Sequence, residues 1–222
     1  GINIPVFAGE ITIDNLKYTY EVVSNGTAVS ITDIALDGRA SLVIPETING
    51  LPVISIGEDC AYDDSHIDDL KTITIPASVI FIGDDAFDDD IFSTNSLQTV
   101  IFQGADGAES LEIVDKASFG YATTVSLDRN ISSGSGTEGS GDCLFHHATS
   151  VTVGPHVSAI KDKCFKAAPI SNLNLTGATA LKTIDKNAFY DCDELTSLTL
   201  PASVITLGEE AFCNCDGLKT VD

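Results

Sequence analysis

Apolar residues recur along this chain at a fixed spacing, and the segment 181–222 shows the spacing twice in register. Ala188-Phe189 and Ala211-Phe212 lie 23 residues apart, as do Cys192 and Cys215. One unit reads V-x-x-I-G-x-x-A-F-x-x-C-x-x-L-x-x-L-x-L-P. A period of this size is typical of a solenoid, in which each unit buries its apolar face against its neighbours. The pattern therefore predicts one elongated stack of coils.

Each unit contains an L-x-x-L-x-L segment that predicts one strand of a parallel sheet. The segments lie at 70–76, 97–102, 122–127, 148–153 and 170–175, and earlier at Leu42 and Ile44. A second apolar segment follows each strand, as at 78–87 and 156–165. If the coils stack in line, one row of rings is expected, formed by Phe87, Phe119, Phe165, Phe189 and Phe212.

Two stretches depart from the repeat. Residues 9–36 alternate apolar and polar positions around Asn25-Gly26, which predicts an antiparallel hairpin that caps the stack, with residues 1–8 loose. Residues 130–142 are rich in Gly and Ser and predict a flexible surface loop. No change of composition divides the chain. We therefore predict a cap over 1–41 and a single solenoid domain over 42–222.

Side chains alternate along a strand, so the residues on either side of the middle apolar position point outward. These form two columns, and the residues proposed to bind a ligand are Thr72, Thr99, Thr124, Ser150, Asn172 and Ser197 in the first and Thr74, Ile101, Ser126, Thr152, Asn174 and Thr199 in the second. The columns carry no charge. Either they reflect the strand preference of Thr alone, or they form a surface where a partner docks, because hydroxyls and amides are cheaper to desolvate than carboxylates.

The chain is strongly acidic, with 33 Asp and Glu against 11 Lys and Arg and a formal charge of −22. Such a charge repels phosphate backbones and anionic lipids, so nucleic acid and membrane insertion are not expected. No apolar run is long enough for a transmembrane helix. The sequence contains no Met, so we expect that any export signal was removed before Gly1.

Few residues of this chain are candidates for a metal, thiol or catalytic site. Asp84, Asp85 and Asp88 are weak candidates for a cation site, but they lack the spacing of a calcium loop, and a solvated acidic face is the simpler interpretation. His146 and His147 are interpreted as surface residues that face opposite ways. Cys192 and Cys215 are either small buried residues or a bridge between adjacent coils. No catalytic motif is present, so neither enzymatic activity nor a cofactor is expected.

The segments SVIFIGDDAF at 78–87 and PASVITLGEEAF at 201–212, with Cys192 and Cys215, resemble the BspA-type bacterial leucine-rich repeat. The resemblance runs from about Leu42 to Asp222. It implies an α/β fold: a right-handed leucine-rich-repeat solenoid with one parallel sheet and short helical turns. It also implies a bacterial cell-surface or secreted protein, some relatives being adhesins.

The expected function is binding of an extracellular protein or glycan through the exposed sheet face. The alternative is a structural module that associates with itself. Leu218 to Asp222 stop within a strand position, and we expect the coil edge there to be covered by a second copy or by further chain.

Overall fold

The structure is a computed structural model that describes residues 7–61, 69–87, 97–114, 117–133 and 143–222. Short strands account for nearly all of its regular structure. In chain order the elements are β1 (Ala8–Ile13), β2 (Leu16–Val23), β3 (Ala28–Ala35), β4 (Ser41–Val43), β5 (Thr47–Ile48), β6 (Leu51–Ile56), β7 (Thr72–Ile75), β8 (Phe81–Ile82), β9 (Thr99–Phe102), β10 (Leu111–Ile113), α1 (Ala117–Gly120), β11 (Thr124–Leu127), β12 (Ile131–Ser133), β13 (Ser150–Val153), β14 (Ala159–Ile160), β15 (Asn172–Asn174), β16 (Thr183–Ile184), β17 (Ser197–Leu198), β18 (Thr206–Leu207) and β19 (Thr220–Val221).

The predicted L-x-x-L-x-L strands form a parallel sheet, here called the first sheet, in the order β15-β13-β11-β9-β7-β4. Strands β17 and β19 pair separately, also in parallel. Each coil contributes one strand to the stack, and the leucine-type positions are buried; Leu42, Ile73, Val100, Val125 and Val151 are each at most 1% exposed. The solenoid predicted from the repeat is therefore confirmed.

The coils also form a second parallel sheet, which corrects the expectation of a single one. Strands β3, β6, β8, β10 and β12 pair side by side, and β14, β16 and β18 continue the pattern as a separate group. Apart from β3, which belongs to the N-terminal hairpin, these strands come from the second apolar segment of each unit. Ile56, Ile82, Ile113 and Ile160 point into the core between the two sheets. Two sheets follow because each unit buries two apolar segments on opposite sides of one coil.

The N-terminal hairpin is present and is larger than predicted. Strands β2 and β3 pair antiparallel around the turn at Ser24–Gly26, and β1 adds to β2 as a third strand. Asp14 and Asn15, which join β1 to β2, both have positive φ (51° and 61°), as a tight hairpin turn requires. Strand β3 then pairs in parallel with β6, so the hairpin lies against one end of the second sheet.

The prediction of short helical turns is wrong for most of the described coils, because α1 is the only α-helix in the described residues. Corresponding turn residues take left-handed backbone angles, with φ of 48° at Asp85, 55° at Asn187 and 56° at Glu210. A left-handed residue interrupts a helix. Main-chain N–H groups bond instead to the next coil, as from Asn187 to the Glu209 oxygen at 3.1 Å. The turns are therefore stacked, and the fold is mainly β.

A continuous row of phenylalanine rings runs through the core, as the repeat predicts. The ring centroids of neighbouring members lie 5.1 to 6.0 Å apart. Phe102 and Phe145 belong to the row in addition to the predicted rings, and together they connect Phe119 to Phe165. The pairs are tilted or edge-to-face from Phe87 to Phe145 and stacked from Phe145 to Phe212, and aromatic pairs of either kind contribute about 0.5–1.5 kcal/mol each beyond burial.

All six cysteines are free thiols, so Cys192 and Cys215 form no bridge. Each of these two sulfurs donates to the carbonyl of a phenylalanine in the preceding coil. The Sγ–O distance is 3.2 Å from Cys192 to Phe165 and also from Cys215 to Phe189. The small buried thiol therefore satisfies a main-chain carbonyl beside the ring row.

The first residues of the predicted loop 130–142 are not loop. Ile131–Ser133 form β12, which pairs in parallel with β10, because the Ile131 side chain is buried in the core. The remainder, 134–142, lies outside the described residues.

Candidate functional site

The two outward columns of the first sheet lie in register across the strands, as predicted. The first column runs through Thr72, Thr99, Thr124, Ser150 and Asn172. The second runs through Thr74, Ile101, Ser126, Thr152 and Asn174. We call the surface formed by the two columns, with Ser197 and Thr199, the sheet face. It places hydroxyl and amide groups side by side without an intervening charged side chain.

Exposure increases along the sheet face toward its C-terminal coils. Thr152, Asn172, Asn174, Ser197 and Thr199 are exposed. Five others are half-buried: Thr72, Thr99, Ile101, Ser126 and Ser150. Thr124 is exposed. The later coils therefore present the more accessible half of the face.

Thr74 corrects one part of the prediction, because it is only 9% exposed. Its neighbours in register are Val43 on β4 and Ile101 on β9. Thr74 therefore contributes little to any contact surface.

Side-chain hydrogen bonds organise the asparagines of the sheet face. The Nδ2 group of Asn172 donates to Ser150 Oγ at 3.2 Å, across two paired strands. The Oδ1 atom of Asn174 accepts from the main-chain N–H of Thr176 at 3.0 Å, which shapes the corner after β15. These contacts hold both amide groups at defined positions before any ligand arrives.

The first sheet is interrupted between β15 and β17. Within the fully described range 143–222, no ladder joins these strands, although β14, β16 and β18 on the opposite side of the same coils remain paired. The corner before β16 is longer than usual, since Leu175 and Ile184 are nine residues apart whereas Val153 and Ile160 are seven apart. An open groove of about 300 Å³ lies at the interruption, lined by Leu173, Asn174, Thr176, Ser197, Thr199 and Leu200.

A second, wider pocket of about 480 Å³ lies where β9 and β11 end, beside a long corner at 103–110. Phe102 pairs with Ile75 and Ile113 pairs with Ile82, so the stretch between the paired residues, 103–112, is four residues longer than the corresponding one at 76–81. Ile101 and Ser126 of the sheet face line the pocket together with Glu46, Gln103 and Asp128. The long corner therefore extends the sheet face on one side.

Arg129 holds the long corner in place, and sequence reasoning missed it. The side chain is 1% exposed. Its Nη1 donates to the carbonyls of Pro76, Ala77 and Val79 at 3.2, 3.1 and 2.7 Å, and its Nη2 donates to that of Glu109 at 2.5 Å. Burial lowers the pKa of Arg129. The only indication in the sequence is the change of corner length.

A carboxylate–imidazole–carboxylate chain fixes the same corner from the other side. His156 Nδ1 lies 2.9 Å from Asp128 Oδ2, and His156 Nε2 lies 3.3 Å from Asp106 Oδ1. The hydrogen bond with Asp128, followed by the charges of Asp128 and Asp106, raises the pKa of His156. Gly104 allows this approach, because a Cβ there would collide with the Asp128 carbonyl oxygen.

His146 and His147 do not face opposite ways, which corrects that interpretation. They lie in a turn, where the ring centroids are 4.3 Å apart, and His147 stacks on Tyr121 at 4.8 Å. Each Nδ1 contacts a main-chain oxygen, that of Cys143 for His146 and that of Gly120 for His147. Burial and the neighbouring His147 lower the pKa of His146. The cluster stabilises adjacent turns.

Asp84 and Asp85, the two candidate cation ligands that the structure describes, do not converge on a common point. Asp84 is exposed, and its main-chain oxygen accepts from the Asp59 N–H at 3.0 Å, while Asp85 is half-buried in the same turn. Asp88 lies outside the described residues. Among the residues that the structure describes, no group of three or more His, Cys, Asp or Glu side chains is arranged to hold a metal ion. None of the described helices has the length and apolarity needed to cross a membrane.

Comparison with known families identifies the repeat. The model of the BspA type leucine rich repeat region matches residues 40–133 and 129–222, with six copies. The chain belongs to the BspA-type leucine-rich repeat family. This membership covers all of the first sheet and the sheet face.

A solved structure shares the fold of this BspA-type chain. A leucine rich cell surface protein from Faecalibacterium prausnitzii A2-165 matches with 20% identity and a TM-score of 0.52 over 96% of this chain. The chain spans 54% of the length of that protein. A leucine-rich repeat protein from Bacteroides ovatus matches with 17% identity and a TM-score of 0.44, over 95% of this chain and 70% of its own. A comparison with curated protein sequences gives no match.

Proposed function

We propose that this BspA-type chain is a non-enzymatic binding module of a bacterial cell-surface or secreted protein, and that it recognises a protein or a glycan through the sheet face. The observation that carries the proposal is the pair of uncharged columns in register on a chain of net charge −22. Excess carboxylates on a binding surface would have to be desolvated, whereas hydroxyls and amides exchange water for a ligand at lower cost.

Preorganisation supports the same proposal. The columns are built on paired strands, and Asn172 is already bonded to Ser150. A surface fixed in this way loses little conformational entropy on binding, so many weak polar contacts can add up to a useful affinity. The F. prausnitzii neighbour is a cell surface protein, which supports the proposed location. The net charge supports a partner other than nucleic acid.

Lysine substitutions on the sheet face test this function. Thr99→Lys, Thr124→Lys and Ser150→Lys together place three cations on the first column, and we expect them to abolish binding of ligands found on a glycan array or a matrix-protein screen. The matched control places three lysines at exposed threonines off the face, Thr12, Thr179 and Thr206. Binding that survives the first triple variant would show that the sheet face is not the site.

A specific observation favours self-association as a second candidate. Ile205, just before β18, Leu207 on β18 and Val221 on β19 are 79%, 49% and 59% exposed, whereas Ile184, which pairs with Leu207, is fully buried. A second copy of this chain would remove that apolar surface from water. Sedimentation over a concentration series tests the idea. A dimer that disappears in the Ile205→Lys, Leu207→Lys variant supports it, and a monomer at every concentration contradicts it.

A further inference from the structure

The pocket at the ends of β9 and β11 has the size of a small-molecule site. Its volume is about 480 Å³, and such sites usually measure about 300–1,000 Å³. The ends of the two strands form one wall, and the long corner 103–110 forms another. Ile101 and Ser126 of the lining belong to the second column of the sheet face. The pocket is therefore a recess that continues the sheet face.

The long corner that walls the pocket is fixed by contacts with three other parts of the chain. Arg129 donates to the Glu109 carbonyl and, from its other terminal nitrogen, to carbonyls of the turn at 76–79. The His156 ring joins Asp106 of the corner to Asp128 at the end of β11. A buried guanidinium is costly unless its donors are satisfied. These contacts preform the pocket, so a ligand meets walls that need little further ordering.

The polar groups of the pocket favour a ligand that is rich in hydrogen-bond donors. Among the described lining residues, the charged side chains are the carboxylates of Glu46 and Asp128, and the Ser126 hydroxyl and the Gln103 amide lie beside them. Asp128 already accepts from the His156 N–H at 3.0 Å and contacts its Nδ1 at 2.9 Å, through different oxygens. A carboxylate oxygen has about two acceptor positions, so each oxygen keeps about one, in a fixed orientation.

A neutral sugar matches these groups better than an ammonium or an anion does. Neighbouring ring hydroxyls can donate to the two oxygens of one carboxylate, while the C–H face of the ring packs against Ile101. An ammonium would compete with His156 for Asp128 and would leave Ser126 and Gln103 unused. An anion would be repelled by both carboxylates and by the net charge of −22.

From this geometry we infer that the pocket is a saccharide subsite that takes a neutral pyranose unit of a glycan. Asp128 and Glu46 accept from ring hydroxyls, Gln103 and Ser126 both donate and accept, and Ile101 supplies the apolar contact. This inference rests on the proposed function, because Ile101 and Ser126 belong to the sheet face, and it selects a glycan over a protein as the ligand.

An NMR titration of the isotope-labelled chain tests the inference. The probes are the methyl pyranosides of glucose, galactose, mannose and N-acetylglucosamine. The methyl glycoside of N-acetylneuraminic acid serves as an anionic comparison, and N-acetyl-lysine methylamide as a cationic one. We expect at least one neutral glycoside, at millimolar concentration, to shift the amide signals of Gln103, Gly104 and Ser126. Neither charged probe should shift the same signals at that concentration.

A double variant separates binding in the pocket from weak contact elsewhere. Gln103→Leu with Ser126→Val removes two polar side-chain groups at similar volume, and we expect it to weaken the bound glycoside about tenfold. The matched control is Gln98→Leu with Thr152→Val, which makes the same kinds of change at exposed positions outside the pocket lining. The control should bind as the original chain does.

Each remaining outcome overturns the inference. Absence of shifts with all four neutral glycosides would show that the pocket takes no sugar. Equal binding by the double variant and its control would place the sugar elsewhere. Shifts from the lysine derivative alone would assign the pocket to a protein side chain, and shifts from the anionic sugar equal to those from a neutral one would show that the carboxylates do not select.

The triple lysine variant distinguishes failure of this inference from failure of the proposed function. Thr99, Thr124 and Ser150 lie on the first column, outside the pocket lining. If the triple variant abolishes binding of a ligand from the array or screen and the double variant does not, the sheet face binds but the saccharide subsite is refuted. If the triple variant keeps that ligand while the double variant loses the glycoside, the subsite stands without the wider face.

Discussion

The carboxylate of Asp128 holds the following coil through both the main chain and the side chain of His156. Asp128 Oδ1 accepts from the His156 N–H at 3.0 Å, and Asp128 Oδ2 lies 2.9 Å from the ring Nδ1. On the far side of the ring, Nε2 lies 3.3 Å from Asp106 of the long corner. One imidazole thus joins two carboxylates from separate coils beside the pocket at the end of β9 and β11.

This arrangement predicts a pH dependence of stability. The hydrogen bond with Asp128 raises the pKa of His156 in the folded chain. The stabilisation is therefore present in full below the ordinary histidine pKa of about 6.5, and it is lost as pH rises through the folded value. We expect His156→Gln to lower the free energy of unfolding more at about pH 5.5 than at about pH 8.5.

Urea denaturation at the two pH values measures this effect, and Asp128→Asn supplies the control. In the Asp128→Asn background, the cost of His156→Gln should lose most of its pH dependence, because the partner charge is gone. A cost of His156→Gln that is the same at both pH values in the original chain would contradict the assignment.

Truncation of the Arg129 side chain is expected to lower the free energy of unfolding substantially. Arg129→Met keeps much of the buried volume, but the carbonyls of Ala77, Val79 and Glu109 lose their guanidinium donor, and that of Pro76 keeps only the Val79 N–H. Each unsatisfied buried group costs about 1–3 kcal/mol, and partial relaxation makes a total of about 3–5 kcal/mol reasonable. Equilibrium unfolding in urea measures the change.

Arg39 provides the matched control for this prediction. It is only half-buried, and its Nη2 donates to the Asp14 carbonyl at 3.3 Å. Arg39→Met should cost well under half as much as Arg129→Met. If the two variants have similar free energies of unfolding, the carbonyl contacts of Arg129 do not stabilise the long corner.

The repeating part of the fold could be predicted from sequence because its cause is local. Alternation in segments such as 148–153 determines which side chains are buried, and the 23-residue spacing of Phe189 and Phe212 brings their rings into contact. The columns of the sheet face follow from the same alternation. Only Thr74 differs, since it is 9% exposed although its position in the alternation is an outward one.

Features that depend on contacts between coils could not be predicted. The turns resemble helical ones in sequence, but Asn187 donates to Glu209 of the next coil in place of a residue in its own turn. The role of Arg129 depends on carbonyls up to 53 residues away. The groove between β15 and β17 lies beside the longer corner that follows β15, and nothing in the residues of the two strands indicates that they are unpaired.

The cysteines predict a selective thiol reactivity. Burial raises the pKa of the Cys60, Cys164 and Cys192 thiols, and the thiolate is the reactive form. Cys213 is the one of the six that is not buried. We expect one thiol per chain to react rapidly with Ellman's reagent under native conditions, and the other five only after unfolding.

Mass spectrometry after a short labelling pulse identifies the reactive thiol. Cys213→Ser should remove the rapid phase, while Cys192→Ser should leave it unchanged. Rapid labelling of Cys192 or Cys60 in the native chain would contradict the packing of these thiols in the core.

A left-handed alanine in one of the turns predicts that substitution by glycine stabilises the fold. Ala167 has a φ of 58°, which an L-residue with a Cβ adopts at a cost, and its side chain is exposed. Ala167→Gly relieves this strain at a position where glycine is favoured, so the free energy of unfolding should rise by about 0.5–1 kcal/mol. The main-chain bond from Ala167 to the Tyr190 oxygen, at 2.7 Å, does not depend on the side chain and should persist.

Ala202 is the control, since it is also exposed and lies in a turn but has no positive φ. Ala202→Gly should lower stability slightly, because glycine adds entropy to the unfolded chain without relieving strain. Thermal and urea unfolding of the two variants should therefore shift in opposite directions. A loss of stability in Ala167→Gly equal to that in Ala202→Gly would show that the stacked turns hold their left-handed residues without strain.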